Sequence, residues 1–134
     1  MEASIKIKVP FYDLDPMKVV WHGNYMKYFE DARCALLDKI GLNYLEMQRL
    51  GLVFPIVKMQ VKYIKPAVFN QELEVRATLA PNENYLHIKY EISDIISGEK
   101  ICSAETRQMC VNAQNSESML VLPAGVLKLL SAAE

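Results

Sequence analysis

Near Val53 the hydrophobic period of this chain changes from helical to strand spacing, and that change limits the fold more than any other feature. Tyr25, Tyr28, Phe29, Ala32, Ala35, Leu36 and Ile40 recur at helical spacing, with Lys27, Glu30, Asp31, Asp38 and Lys39 mostly off that face. From Val53 onward the period is two. Val57, Met59, Val61 and Tyr63 alternate with Lys58, Gln60 and Lys62. Leu73, Val75, Ala77 and Leu79 alternate with Glu72, Glu74, Arg76 and Thr78. Leu86, Ile88, Tyr90 and Ile92 alternate with His87, Lys89, Glu91 and Ser93, which puts His87 on the solvent or oligomer face. A last, less regular strand is expected from about Ile101 to Ala113. One amphipathic helix followed by four strands must bury its apolar face against them.

Local signals punctuate these elements. Ile5, Ile7 and Val9 alternate with Lys6 and Lys8 as a half-buried first strand, which Pro10 ends. Asn24 is a suitable N-cap for the long helix and Gly41 a suitable residue to end it. A short helical piece from about Tyr44 to Leu50 stops at Gly51. Pro81 to Asn84 and Ser97 to Lys100 read as turns, and Pro123 opens a short helix carrying Val126, Leu127, Leu129 and Leu130. The expected class is α+β with a mostly antiparallel sheet. A single sheet on one helix leaves sheet edges and one sheet face to manage, which favours dimerisation.

The 134 residues are expected to form one domain, 1–134, large enough to bury a core without disulfides. A net charge of −1 gives no broad basic field for nucleic acid. No run of about eighteen apolar residues exists, so no membrane span is expected. The first residues have no apolar signal region, and the three cysteines show no CxxC spacing. A reduced, cytoplasmic protein is the reading these features favour.

The segment from Phe11 to Tyr25 concentrates the chemistry. It carries Asp13 and Asp15, one of the two histidines (His22), Pro16 and Gly23, between a strand and the long helix. An acid, an imidazole and a helix N-terminus in one loop suffice for acyl transfer. Asp13-Leu14-Asp15 also has the form of a phosphatase nucleophile loop, but the parallel sheet and downstream acidic pair of such enzymes are missing from the pattern. Three metal ligands from one short loop would be unusual, so no metal and no cofactor are expected.

Asp13-Leu14-Asp15-Pro16, His22-Gly23-Asn24-Tyr25 and Phe29-Glu30-Asp31-Ala32-Arg33 resemble, in order, a motif of the hotdog-fold acyl-CoA thioesterases. The resemblance is to the 4-hydroxybenzoyl-CoA and Tol–Pal-associated thioesterase group. Lys58-Met59, Tyr63-Ile64-Lys65-Pro66-Ala67 and Leu73-Glu74-Val75 carry a second match. The resemblance implies a curled five-stranded sheet wrapped around one long helix. It also implies hydrolysis of an acyl-CoA to a carboxylic acid and coenzyme A by a homodimer or homotetramer. The key aspartate maps to Asp15. The His22 position contributes a backbone N–H and, in one branch, an imidazole. Two departures stand out. Phe11 replaces a frequent tyrosine, and Met17-Lys18 replaces a pair of small residues.

Thioester hydrolysis needs an oxyanion stabiliser and either a base or a carboxylate nucleophile. The first-turn N–H groups of a helix have no intrahelical acceptors and can supply the stabiliser. Asp15 can serve as base or as nucleophile, and as a plain turn residue it would do neither. Asp13 reads as its structural support, and Arg33 as a partner of Glu30. Asn24, Tyr25, Lys58 and Met59 are candidate substrate contacts. Lys58, Lys62 and Lys65 form either a solvated strand face or a landing strip for coenzyme A phosphates. Tyr25 reads as core or as a wall of the acyl pocket. Two alternatives remain: a hotdog dehydratase using an acid on the central helix, for which Glu30 is available, and a non-catalytic acyl-thioester binder or scaffold.

Overall fold

The computed structural model describes residues 1–133. Strand β1 (Glu2–Lys8) is followed by a loop with two 3₁₀ turns, Phe11–Asp13 and His22–Asn24. Helices α1 (Tyr25–Ile40) and α2 (Tyr44–Arg49) come next. Then come β2 (Leu52–Val53), β3 (Ile56–Tyr63), β4 (Glu72–Ala80), β5 (Tyr85–Asp94), β6 (Lys100–Asn112) and β7 (Ser118–Met119), and α3 (Ala124–Ala132) closes the described chain. The strands run in the order β1, β4, β5, β6, with β2 and β3 on the far side of β6 and every pairing antiparallel. The five long strands are those expected from the alternation, and β2 and β7 add short pairings to β6.

Helix α1 packs against β1 and β4. Phe29, Ala32 and Leu36 are almost fully buried with Val75, Ala77 and Ile88, and the Phe29 and Tyr90 rings lie 5.0 Å apart. Burying side chains of this size contributes about 1.5–3 kcal/mol each for the larger ones, which drives the sheet to close on the helix. Gly41, at φ 89°, ends α1. Its N–H reaches Asp38 O at 3.2 Å, and Leu42 N–H reaches Leu37 O at 3.0 Å. This pattern satisfies carbonyls that the helix end would leave open.

Three local expectations are corrected. Asn24 does not cap α1 with its side chain; its backbone is helical, because the 3₁₀ turn runs straight into the helix and moves the effective start back to His22. Val57 leaves the alternating face: Ile56 pairs with Gln108 and Lys58 with Arg107, so Val57 is the extra residue of a bulge. His87 stands outside the core face as expected but is only 8% exposed, with Nε2 3.3 Å from Glu105 Oε2 on β6. A cross-strand partner covers it, a long-range contact that alternation cannot report.

Candidate active site

Residues 14–20 form a miniature hairpin. Leu14 bridges Val20, Asp15 N–H bonds Val19 O at 2.8 Å, and Lys18 N–H bonds Asp15 O at 2.9 Å. Asp at the first and Pro at the second position suit the tight turn. Lys18 then takes φ 64°, where glycine is usual. The Met17-Lys18 departure therefore leaves the turn tight and places a non-glycine residue in its left-handed position. Asp15 Oδ1 accepts Met17 N–H at 2.8 Å. Its Oδ2 has no hydrogen bond among the described residues.

Asp13 fastens this hairpin to α1. It is 3% exposed. Its Oδ2 accepts from Tyr28 Oη at 2.6 Å and its Oδ1 from Lys27 Nζ at 2.8 Å. Its carbonyl accepts Trp21 N–H at 3.0 Å and Asn24 Nδ2 at 2.8 Å. Burial first, and the Asp13 hydrogen bond second, push the Tyr28 hydroxyl far above its ordinary range, so it stays a donor.

His22 sits at the opening of the helical segment. Its exposed ring lies 5.1 Å from that of Trp21 and meets Tyr63 edge-on at 6.3 Å. Tyr63 Oη donates to His22 O at 3.0 Å. Tyr63 was legible as an alternating strand residue and as part of the second family match, but no local signal marks it as a site residue. A Cβ on Gly23 would come within 2.3 Å of the Trp21 ring, so a larger residue there would have to displace that half-exposed indole. Asn24 N–H is bonded to Trp21 O at 2.8 Å. The N–H groups of His22 and Gly23, at the start of the turn, are the ones without acceptors inside the helix. No hydrogen bond joins Asp15 to His22 among the described residues.

The other candidate contacts are placed differently. Tyr25 is 3% exposed, its hydroxyl accepts Ala67 N–H at 3.2 Å, and its ring packs on Tyr28 and Tyr63, which is a core environment. Asn24 spends its side chain on Asp13. Lys58 and Met59 point to opposite faces of β3, the first exposed and the second half-buried, toward the strand end remote from Tyr63. Lys65 pairs with Glu99, and Arg33 stands 4.0 Å from Glu30.

A cleft of about 740 Å³ opens between α1, α2 and the start of β3. Leu37, Met47, Leu52, Phe54 and Ile56 line it, with Gln108 of β6 among them and Glu30 and Arg33 of α1 also on its wall. The sequence gives no sign of this space, because residues distant along the chain build it.

The chain belongs to the thioesterase-like superfamily, whose family model matches residues 9–130. Thioester hydrolysis is accordingly its reaction class. It is similar to a 1,4-dihydroxy-2-naphthoyl-CoA hydrolase of Thermosynechococcus vestitus, 25% identical over 77% of this chain and 71% of the relative. A hypothetical protein of Thermus thermophilus has a similar crystal structure, with a TM-score of 0.86 and 28% identity, over 98% of this chain and 99% of that one. A DHNA-CoA thioesterase of Staphylococcus aureus shares the fold, with a TM-score of 0.86 at 23% identity, over 98% of this chain and 90% of that one. The long helix against an antiparallel sheet is thus the hotdog fold.

Proposed function

We propose that this protein hydrolyses acyl-CoA thioesters, with Asp15 as the reacting carboxylate. The observation that carries this is the division of labour within the hairpin. Asp15 Oδ1 is held by Met17 N–H while Oδ2 has no hydrogen bond among the described residues, in a hairpin whose second arm leads into the helical segment. As base, Asp15 takes a proton from water while the hydroxide adds to the thioester carbon. As nucleophile, it adds to that carbon itself and forms a mixed anhydride, which water then opens. In either route the carbonyl oxygen gains charge, and the N–H groups of His22 and Gly23 at the positive helix end are suited to receive it. The coenzyme A thiolate leaves and is protonated.

The working unit in this reading is a homodimer. Among the described residues strand β3 pairs only with β6, and its open edge carries the exposed Ile56, Val57 and Tyr63. Antiparallel pairing of two β3 edges about a two-fold axis sets the Ile56 end of one copy against the Tyr63 end of the other. Tyr63 is bonded to His22, so each cleft would face the other copy's Asp15 loop. Cys34, Cys102 and Cys110 are free thiols, which suits the cytoplasm.

Asp15→Asn tests the assignment, because asparagine can keep the turn hydrogen bond. Thiol release from a panel of acyl-CoAs should fall about 10²–10⁴-fold with the melting temperature retained. Turnover at the wild-type rate would overturn the role of Asp15.

A further inference from the structure

We propose that the outer face of the sheet binds the phosphate groups of coenzyme A, through Arg107 together with Lys58 and Lys89. This inference rests on the acyl-CoA reading above and adds to it a place for the phosphorylated end of the carrier.

Strand register builds the cluster. Thr106 and Gln108 of β6 are buried, so Glu105 and Arg107 project from the opposite face of the sheet. Arg107 has Lys58 of β3 directly opposite on one side and His87 of β5 on the other. Glu105 stands between Gln60 and Lys89 in the next row. Directly opposite side chains start about 4.5–5.5 Å apart, so these groups form one cluster across three strands. Lys58 opposite Arg107 is a like-charge pair, which by itself destabilises a sheet.

Arg107 is held in place without being neutralised. Its Cζ lies 6.0 Å from the centre of the Tyr85 ring, and its Nε is buried without a hydrogen bond. The half-buried side chain therefore offers its two Nη groups rather than Nε, and nothing among the described residues pairs with them. Lys58 and Lys89 are exposed and have no ion-pair partner among the described residues either. By contrast, Lys27, Arg49, Lys65, Arg76 and Lys100 are each paired with a carboxylate.

The acids of this face do not cancel that charge. Glu105 Oε2 lies 3.3 Å from His87 Nε2, and Glu91, one row further on, pairs with Lys100. The His87 hydrogen bond first, and behind it the charges of Arg107 and Lys58, hold the Glu105 carboxyl below its usual range. One carboxylate thus faces the three cations of the cluster. In the homodimer described above, the two β3 strands lie side by side, so Lys58 and Lys62 of both copies share this face and the excess grows at the seam.

A ligand with several negative charges is what such an excess can neutralise. Guanidinium Nη groups pair with two phosphate oxygens at once, and ammonium groups add point charge beside them. Coenzyme A carries a 3′-phosphate and a diphosphate on its adenosine end. They reach the cluster either as the tail of the thioester being hydrolysed or as a separate coenzyme A molecule.

Adenosine 3′,5′-bisphosphate is the probe, titrated calorimetrically into wild type, Arg107→Gln and Lys58→Gln. It should bind wild type and bind Arg107→Gln about tenfold or more weakly. Lys58→Gln, at a fully exposed position, should weaken it at an unchanged melting temperature, which keeps the test open should Arg107→Gln fold poorly. Two kinetic arms separate the sources. If the substrate tail is the ligand, the ratio of kcat/KM for an acyl-CoA to that for the matching acyl-pantetheine should fall about tenfold in Arg107→Gln. If a separate coenzyme A is the ligand, that ratio should hold while bisphosphate binding is lost. No binding to wild type at millimolar concentration, or equal binding to all three proteins, would overturn this inference alone. Hydrolysis of none of the thioesters by wild type would overturn the acyl-CoA reading, and the titration would still decide whether the cluster takes phosphate.

Discussion

Tyr28 Oη donates to Asp13 Oδ2 at 2.6 Å, so a residue of the first helical turns holds a buried carboxylate two positions before Asp15. The bond ties the orientation of the hairpin to the core, because Tyr28 is itself 4% exposed and Asp13 3%. Asp13 orients the loop, and Asp15 presents its free oxygen from it.

Tyr28→Phe removes a hydrogen bond to a charged acceptor, worth about 1.5–3 kcal/mol. Urea unfolding should report a loss of about 2 kcal/mol. The pH dependence has a definite sign. The folded hydroxyl keeps its proton above 10.0, the ordinary value at which the unfolded one loses it. Stability from this group is complete below pH 10 and falls as pH rises beyond it. The variant should lack that part of the alkaline slope.

Lys18→Gly should stabilise the protein. A lysine in the left-handed region costs about 1–2 kcal/mol, while glycine returns about 0.5–1 kcal/mol to the unfolded chain. A net gain of about 0.5–1 kcal/mol is expected, read as a higher urea midpoint at unchanged slope.

Tyr63→Phe separates positioning from stability. The lost bond is to the carbonyl of His22 on an exposed ring, so the stability change should stay below about 1 kcal/mol. If Tyr63 sets the His22 backbone, kcat should fall about tenfold while KM moves little. A kcat equal to wild type would remove Tyr63 from the positioning of the site.

Asp94 sets an acid limit. Backbone N–H groups of Ser97 and Ile96 donate to its carboxylate, as does Gln71, and they hold its carboxyl below the usual range, the Ser97 bond contributing most. Its stabilising effect is present above the unfolded value of 3.8 and is lost as pH falls through the lower folded value. Asp94→Ala should melt lower than wild type at pH 7, and the gap should close as pH falls through the lowered folded value.

The legible part of this protein was the part carried by local periodicity. Seven apolar positions on one helical face located α1, and Gly41 ended it where a left-handed residue was needed. The loop chemistry was legible as composition and order, and the structural reading of Asp13 is matched by its buried bond to Tyr28 and its ion pair with the half-exposed Lys27. Asn24 illustrates the limit. Its residue type suits an N-cap, yet its amide is drawn to Asp13 O, a partner available only once the hairpin folds back.

The sequence by itself determined the elements, their order and the α+β class, because hydrophobic spacing, turn residues and helix punctuation act over a few neighbouring positions. Tertiary structure alone decided that Tyr63 meets His22, that Val57 bulges, and that Gln108 donates across the fold to Phe54 O. Each depends on the approach of segments far apart in the chain, and no periodic pattern encodes which side chain will find a partner there.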